Sequence, residues 1–126
     1  MPFSCLPHLL EYQAQRIPDA PAILAQGRAP LTYRRLYQHI DTTGWTLRTM
    51  GIGRRDRVAV VLPNGPELAL AILTVAASAT CAPVNPAFGV EELEAYFADL
   101  RPRAVMTQAG IDSPARRVAL SRGQRP

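Results

Sequence analysis

Two hydrophobic periods alternate along this chain. Leu6, Leu9, Leu10 and Tyr12 form an apolar stripe in a helix predicted over Cys5 to Arg16. Ile17-Pro18 stops that helix, because the residue before proline avoids the helical region. Short apolar runs at Ala22 to Ala25 and Leu31 to Tyr33 flank Gln26-Gly27-Arg28 and predict a small hairpin. Thr32 is placed to cap a long helix whose buried face carries Leu36, Ile40, Leu47 and Met50, joined by Tyr33 and Gly44. Gly51 suits the position that ends it. Arg57 to Leu62 reads differently: Val-Ala-Val-Val-Leu follows the arginine without a polar break, the pattern of a central parallel strand covered on both faces.

After that strand the chain alternates. Pro63-Asn64-Gly65-Pro66 predicts a turn, with Pro66 opening a helix that runs to about Thr80. Ala82 to Val84 reads as a strand, Pro86 to Gly89 as a loop, Val90 to Leu100 as a helix and Ala104 to Thr107 as a last strand. The order from Arg57 is β-α-β-α-β, and each crossover is long enough for parallel pairing. The expected fold class is α/β, a partial and mainly parallel sheet flanked by helices. Residues 1–111 form its structured part. Residues 112–126 show no apolar period and are expected to be an arginine-rich, disordered tail, with at most a turn of helix at Pro114 to Leu120.

Composition removes several function classes. The hydrophobic share of 48% and charged share of 19% are those of a globular domain. All 14 basic residues are arginine, and there is no lysine. The arginines are scattered along the chain, whereas a nucleic-acid face would gather them among aromatics. Leu68 to Val84 is uncharged over 17 residues, the lower edge of a bilayer span, but its Ala, Ser and Thr content and its Cys-Ala-Pro close suit a buried helix followed by a strand. No membrane span is expected. Cys5 and Cys81 suggest no disulfide framework, so a reduced, cytoplasmic setting is the expectation.

Candidate chemistry is sparse. A phosphate-cradling P-loop needs a lysine after its glycines, which this sequence cannot supply. Gly51-Ile52-Gly53 precedes a strand, the reverse of a dinucleotide fingerprint, and reads as a helix stop. Cys5, His8, His39 and Cys81 are too dispersed for a metal site. Ser4, Ser78, Ser113 and Ser121 lack a nucleophile elbow. Glu91, Glu92 and Glu94 could be acid–base groups, but in the first turn of a helix they are better explained as partners of its dipole. No catalytic, cofactor-binding or metal-binding residue is therefore assigned. Pro63-Asn64-Gly65-Pro66 alone has a functional prior, since it follows the central strand where open α/β sheets place ligands.

Four segments in order carry a resemblance. They are Leu31-Thr32-Tyr33-Arg34-Arg35-Leu36, Gly51-Ile52-Gly53-Arg54-Arg55-Asp56-Arg57-Val58-Ala59-Val60 with Leu62-Pro63-Asn64-Gly65-Pro66-Glu67, Ala79-Thr80-Cys81-Ala82-Pro83-Val84-Asn85-Pro86, and Asp99-Leu100-Arg101-Pro102-Arg103-Ala104. Over residues 5–108 the chain resembles the N-terminal part of the AMP-forming, adenylate-forming ligases, and within them the acyl-CoA or dicarboxylate-CoA synthetase branch. Two positions depart from that pattern: Arg35, where a capping-box glutamate is usual, and Gly89, where this branch often has arginine.

The resemblance implies a truncated first subdomain of a larger synthetase fold. The parent activity it implies is ATP-dependent activation of a carboxylate to acyl-AMP and transfer to CoA, as in fatty acid metabolism, with ATP, Mg and CoA as cofactors. The family's phosphate loop and catalytic lysine match no position here, so this chain alone is expected to be inactive. An alternative is a non-catalytic partner, or a small-molecule-binding module, that completes a split ligase whose remainder sits on another chain.

Overall fold

The computed structural model describes residues 5–108 and 110–122. Helix α1 (Leu6–Arg16) leads to a hairpin of β1 (Pro21–Ile23) and β2 (Leu31–Thr32), then to α2 (Tyr33–Thr49). There follow β3 (Arg57–Val60), α3 (Pro66–Ala76), β4 (Thr80–Pro83), α4 (Val90–Leu100), β5 (Ala104–Met106) and α5 (Pro114–Ser121). Strands β1 and β2 pair antiparallel, while β3 pairs in parallel with β4 on one side and β5 on the other. The α/β expectation holds, with a parallel three-stranded sheet ordered β4-β3-β5.

The uninterrupted apolar run is divided between two faces by the pleat. Val58, Val60 and Leu62 pack with Leu47, Ile52, Ala71 and Val75, beneath α2 and α3. Ala59 and Val61 point the other way, into Leu93 and Phe97 of α4 and Ala115, Val118 and Ala119 of α5. A third cluster joins Leu10 of α1 to Leu36 and Ile40 of α2, with the hairpin packed against it. Each side of β3 thus carries its own helical layer.

Local chemistry fixes the element ends. The Thr32 hydroxyl accepts from Arg35 N–H at 3.2 Å, the cap expected for α2. At the other end Ile52 N–H donates to Leu47 O (2.9 Å) and Gly51 N–H to Arg48 O (3.0 Å), the paired bonds of a Schellman stop. Gly51 sits at φ 76°, and Ile52 and Leu47 supply the accompanying apolar contact. In the middle of α2, a Cβ on Gly44 would lie 2.8 Å from Ser78 Oγ, so glycine lets α2 approach the chain just past α3.

The Gly-Ile-Gly-Arg-Arg-Asp-Arg segment is accounted for by the same kind of bond. Gly53 N–H donates to the Asp56 carboxylate at 2.7 Å, and Arg103 reaches that carboxylate at 3.5 Å. Thr80 Oγ1 donates to Arg54 O and the Arg57 guanidinium to Leu100 O, both at 2.8 Å. These bonds tie the loops at the amino ends of the three parallel strands.

The end of α3 and the tail differ from expectation. Helix α3 ends at Ala76, short of Thr80, because Thr80 already lies in register with Arg57 of β3. The expected disordered tail is corrected over Pro114–Ser121: where a turn of helix was allowed at Pro114 to Leu120 there is a full helix, α5, with Ala115, Val118 and Ala119 buried. Its stripe is built from alanines and one valine interleaved with Arg116 and Arg117, which hides the period in sequence; Ser113 caps it by accepting from Arg116 N–H. Residues 123–126 lie outside the described residues. Helix α4 spans Val90–Leu100 as expected and closes on Arg101 at φ 51°, a left-handed conformation in which Arg101 N–H donates to Phe97 O at 2.8 Å.

A β-carbon in that conformation costs about 1–2 kcal/mol, which glycine avoids. Arg101→Gly should therefore raise the stability measured by urea unfolding, by about 0.5–1 kcal/mol once the greater chain entropy of glycine is subtracted. A loss of stability would contradict this reading of the cap.

Candidate functional site

The sheet order creates one distinctive place. From β3 the chain leaves toward α3 on one face and enters β4 to one side. From β4 it leaves toward α4 on the other face and crosses back past β3 to β5. Adjacent strands β3 and β4 therefore send their following loops to opposite faces, and a crevice opens between them. Open α/β sheets take ligands at such a switch point.

The crevice holds about 480 Å³, within the range of small-molecule sites. Leu62, Pro63 and Asn64 form one wall, Pro83, Val84, Asn85 and Pro86 the other, and Leu68 of α3 lies behind. Each loop is set by its own residues. Gly65 adopts φ 156°, which side-chain-bearing residues rarely do, and Pro66 then begins α3. On the facing loop Asn85 Oδ1 accepts from Ala87 N–H at 2.9 Å, holding a tight turn. The turn Pro63 to Pro66 lies where the sequence placed it. Its counterpart Asn85 was not singled out as a site residue; the signal was an Asn-Pro pair just past the second parallel strand.

The other candidates have structural work. Glu91 and Glu92 occupy the first turn of α4, and the Glu92 carboxylate accepts from Gly89 N–H at 3.4 Å. Gly89 is the residue before that helix, with φ −78°, so its backbone does not require glycine. Ser113 caps α5 and Ser121 Oγ donates to Val118 O. Ser4 lies outside the described residues. Burial pushes the Cys81 thiol up, which favours its neutral form. His39 lines a separate cavity with Thr43, Glu67 and Thr107 between α2 and α3. Among the described residues no three His, Cys, Asp or Glu side chains converge as metal ligands. No described helix is long and apolar enough to cross a membrane; Leu68 to Val84 divides into most of α3, a turn and β4.

Glu67 fastens the hairpin to the edge of this region. Arg28, from the hairpin loop, forms an ion pair with the Glu67 carboxylate, and both side chains are largely exposed. The bond from Arg28, with a smaller contribution from the backbone at the start of α3, holds the Glu67 carboxyl below its ordinary range.

A family model described as AMP-binding enzyme matches residues 10–125. Among curated proteins, the oxalate–CoA ligase of Arabidopsis thaliana is 35% identical over 113 residues, which cover 88% of this chain and 22% of that protein. Enterobactin synthase component F of Shigella flexneri is 33% identical over 108 residues, 85% of this chain and 8% of that one. Among solved structures, a chain described as a long-chain-fatty-acid CoA ligase from Rhodopseudomonas palustris superposes with a TM-score of 0.80 at 25% identity, covering 93% of this chain and 30% of that chain. This chain therefore spans less than a third of the length of each of them.

The Glu67 carboxyl is depressed in the folded state. Its contribution is thus present above the unfolded carboxylate value and is lost as pH falls through the folded one. Glu67→Gln should lower the urea midpoint at neutral pH, and the gap to the parent chain should close on acidification below about pH 4. A gap that widens with acid would contradict the assignment.

Proposed function

The chain belongs to the AMP-binding enzyme family, and from that membership we propose that residues 1–126 build the opening sheet segment of an acid–CoA ligase. Such a ligase activates a carboxylate with ATP as an acyl-adenylate and transfers the acyl group to CoA. The crevice between β3 and β4 carries this reading, because it places a cleft of ligand size inside the region the family model matches. The CoA-ligase branch is supported by the likeness to the oxalate–CoA ligase over most of the chain and by the Val84-Asn85-Pro86 string after β4. Two relatives described as nonribosomal peptide synthetases have somewhat lower identity, 32% and 30%, over a similar stretch.

ATP and Mg do not fit the donors of this crevice. Asn64 and Asn85 are its polar side chains, and neither supplies a cation for a triphosphate or a carboxylate for Mg. What these residues do is narrower. With Leu62, Leu68, Pro83 and Val84 they line the gap between two loops at the carboxyl ends of the strands, and its walls are largely apolar. Phosphate chemistry then belongs to the part of the ligase fold that the relatives carry beyond this segment. A non-catalytic chain completing a split ligase would use the same surfaces, and the outer side of β5, where no strand lies among the described residues, suits that second arrangement as well.

The purified 126-residue chain should catalyse no carboxylate-dependent exchange of pyrophosphate into ATP. Exchange above background with any carboxylic acid would overturn the division of labour proposed here.

A further inference from the structure

The fold gathers in one place arginines that stand far apart in the sequence. Helices α2, α3 and α4 end, and β3, β4 and β5 begin, at the amino side of the sheet, opposite the crevice. Arg48, Arg54, Arg55, Arg57, Arg101 and Arg103 all lie there, and all are exposed. Two carboxylates, Asp56 and Asp99, stand among them. The other eight arginines of the chain are matched by eight carboxylates, so its formal net charge of +4 belongs to this end.

Part of that charge serves the fold. Arg54, Arg57 and Arg103 donate to Ala77 O, Leu100 O and Gly51 O, carbonyls at the ends of α3, α4 and α2, where a cation offsets the helix dipole. Arg55 and Arg101 have no such role: among the described residues their side chains bond nothing. Arg101 also holds its left-handed backbone at a cost that glycine would remove, and strain of that kind points to a use outside the fold. Exposed aromatic side chains border the group on both faces of the sheet. Trp45, the only tryptophan in the sequence, is 65% exposed and one turn of α2 from Arg48. Tyr96 of α4 lines a hollow of about 440 Å³ with Arg57, Asp99 and Leu100.

We propose that this amino end of the sheet, with Trp45 at its margin, docks an acidic segment of a partner protein. Guanidinium groups pair with carboxylates through two parallel bonds, and tryptophan and arginine are the residue types that anchor protein interfaces. A nucleic-acid backbone fits less well, because Asp56 and Asp99 would meet its closely spaced phosphates. A membrane fits less well too, since no large apolar side chain is exposed between residues 51 and 57 or 99 and 103 to enter it. The surface lies opposite the crevice and owes nothing to the ligase reading.

The probe is a peptide of alternating Glu and Ala, titrated against the 126-residue chain at low salt. Binding is read by anisotropy of the fluorescein-labelled peptide, and its location by the emission of Trp45 with the unlabelled one. Arg55→Gln combined with Arg101→Gly removes two charges from the surface. The glycine is expected to raise stability, so lost binding in this variant is not lost folding. Arg35→Gln combined with Arg116→Gln removes the same charge at the other end of the sheet, where α2 and α5 begin. The parent chain should bind the peptide and shift the emission of Trp45. The first pair should weaken binding at least about fivefold and the second less than about twofold. Equal weakening by the two pairs, no binding by the parent chain, or an unmoved Trp45 emission overturns the proposal. So does tighter binding, at equal salt, to single-stranded DNA or to vesicles of phosphatidylcholine and phosphatidylglycerol.

Discussion

Burial of β3 on both faces is the constraint on which the other elements depend. Val58, Val60 and Leu62 need one helical layer and Ala59 and Val61 need another, so a chain with this strand must place helices on opposite sides of its sheet. Parallel crossovers of one hand then leave a single way to do so with two strands beside β3. The crevice between β3 and β4 is a by-product of that solution, because it marks the point where successive loops part toward different layers. Fold and candidate site thus have the same cause.

The opposite ends of the sheet divide labour. At the amino ends, Asp56, Arg57, Thr80 and Arg103 knit loops together through backbone and carboxylate bonds. At the carboxyl ends, Pro63-Asn64-Gly65-Pro66 and Asn85-Pro86 are short, stiff loops with little bonding across the gap. The motif richest in charge, Gly51 to Arg57, therefore serves the frame. The less conspicuous Asn-Gly and Asn-Pro pairs border the cleft.

Much of this was legible in sequence, for reasons that can be named. The central strand declared itself through five apolar residues without a break, and α2 through a capping threonine, a regular buried stripe and a glycine stop. Helix α5 did not, because alanine at two of its three buried positions carries little hydrophobic contrast and arginines stand between them. The end of α3 was misjudged because Ala77 to Thr80 has nothing that disfavours helix; the register with β3 decides it instead. The crevice was half legible. Its first loop follows the strand that the pattern made central, whereas the placement of Asn64 and Asn85 on facing walls requires knowing that β4 is the neighbour of β3.

The central claim, that β3 is a wall shared by two layers, is open to direct measurement by truncating neighbours that face opposite ways. Val60→Ala and Val61→Ala each remove two buried carbons, a loss of about 1.5–3 kcal/mol with the residual cavity included. Urea unfolding of the two variants should show destabilisation of similar size. If Val61→Ala unfolds at the parent's midpoint while Val60→Ala does not, the layer of α4 and α5 does not cover the sheet, and the account fails at its base.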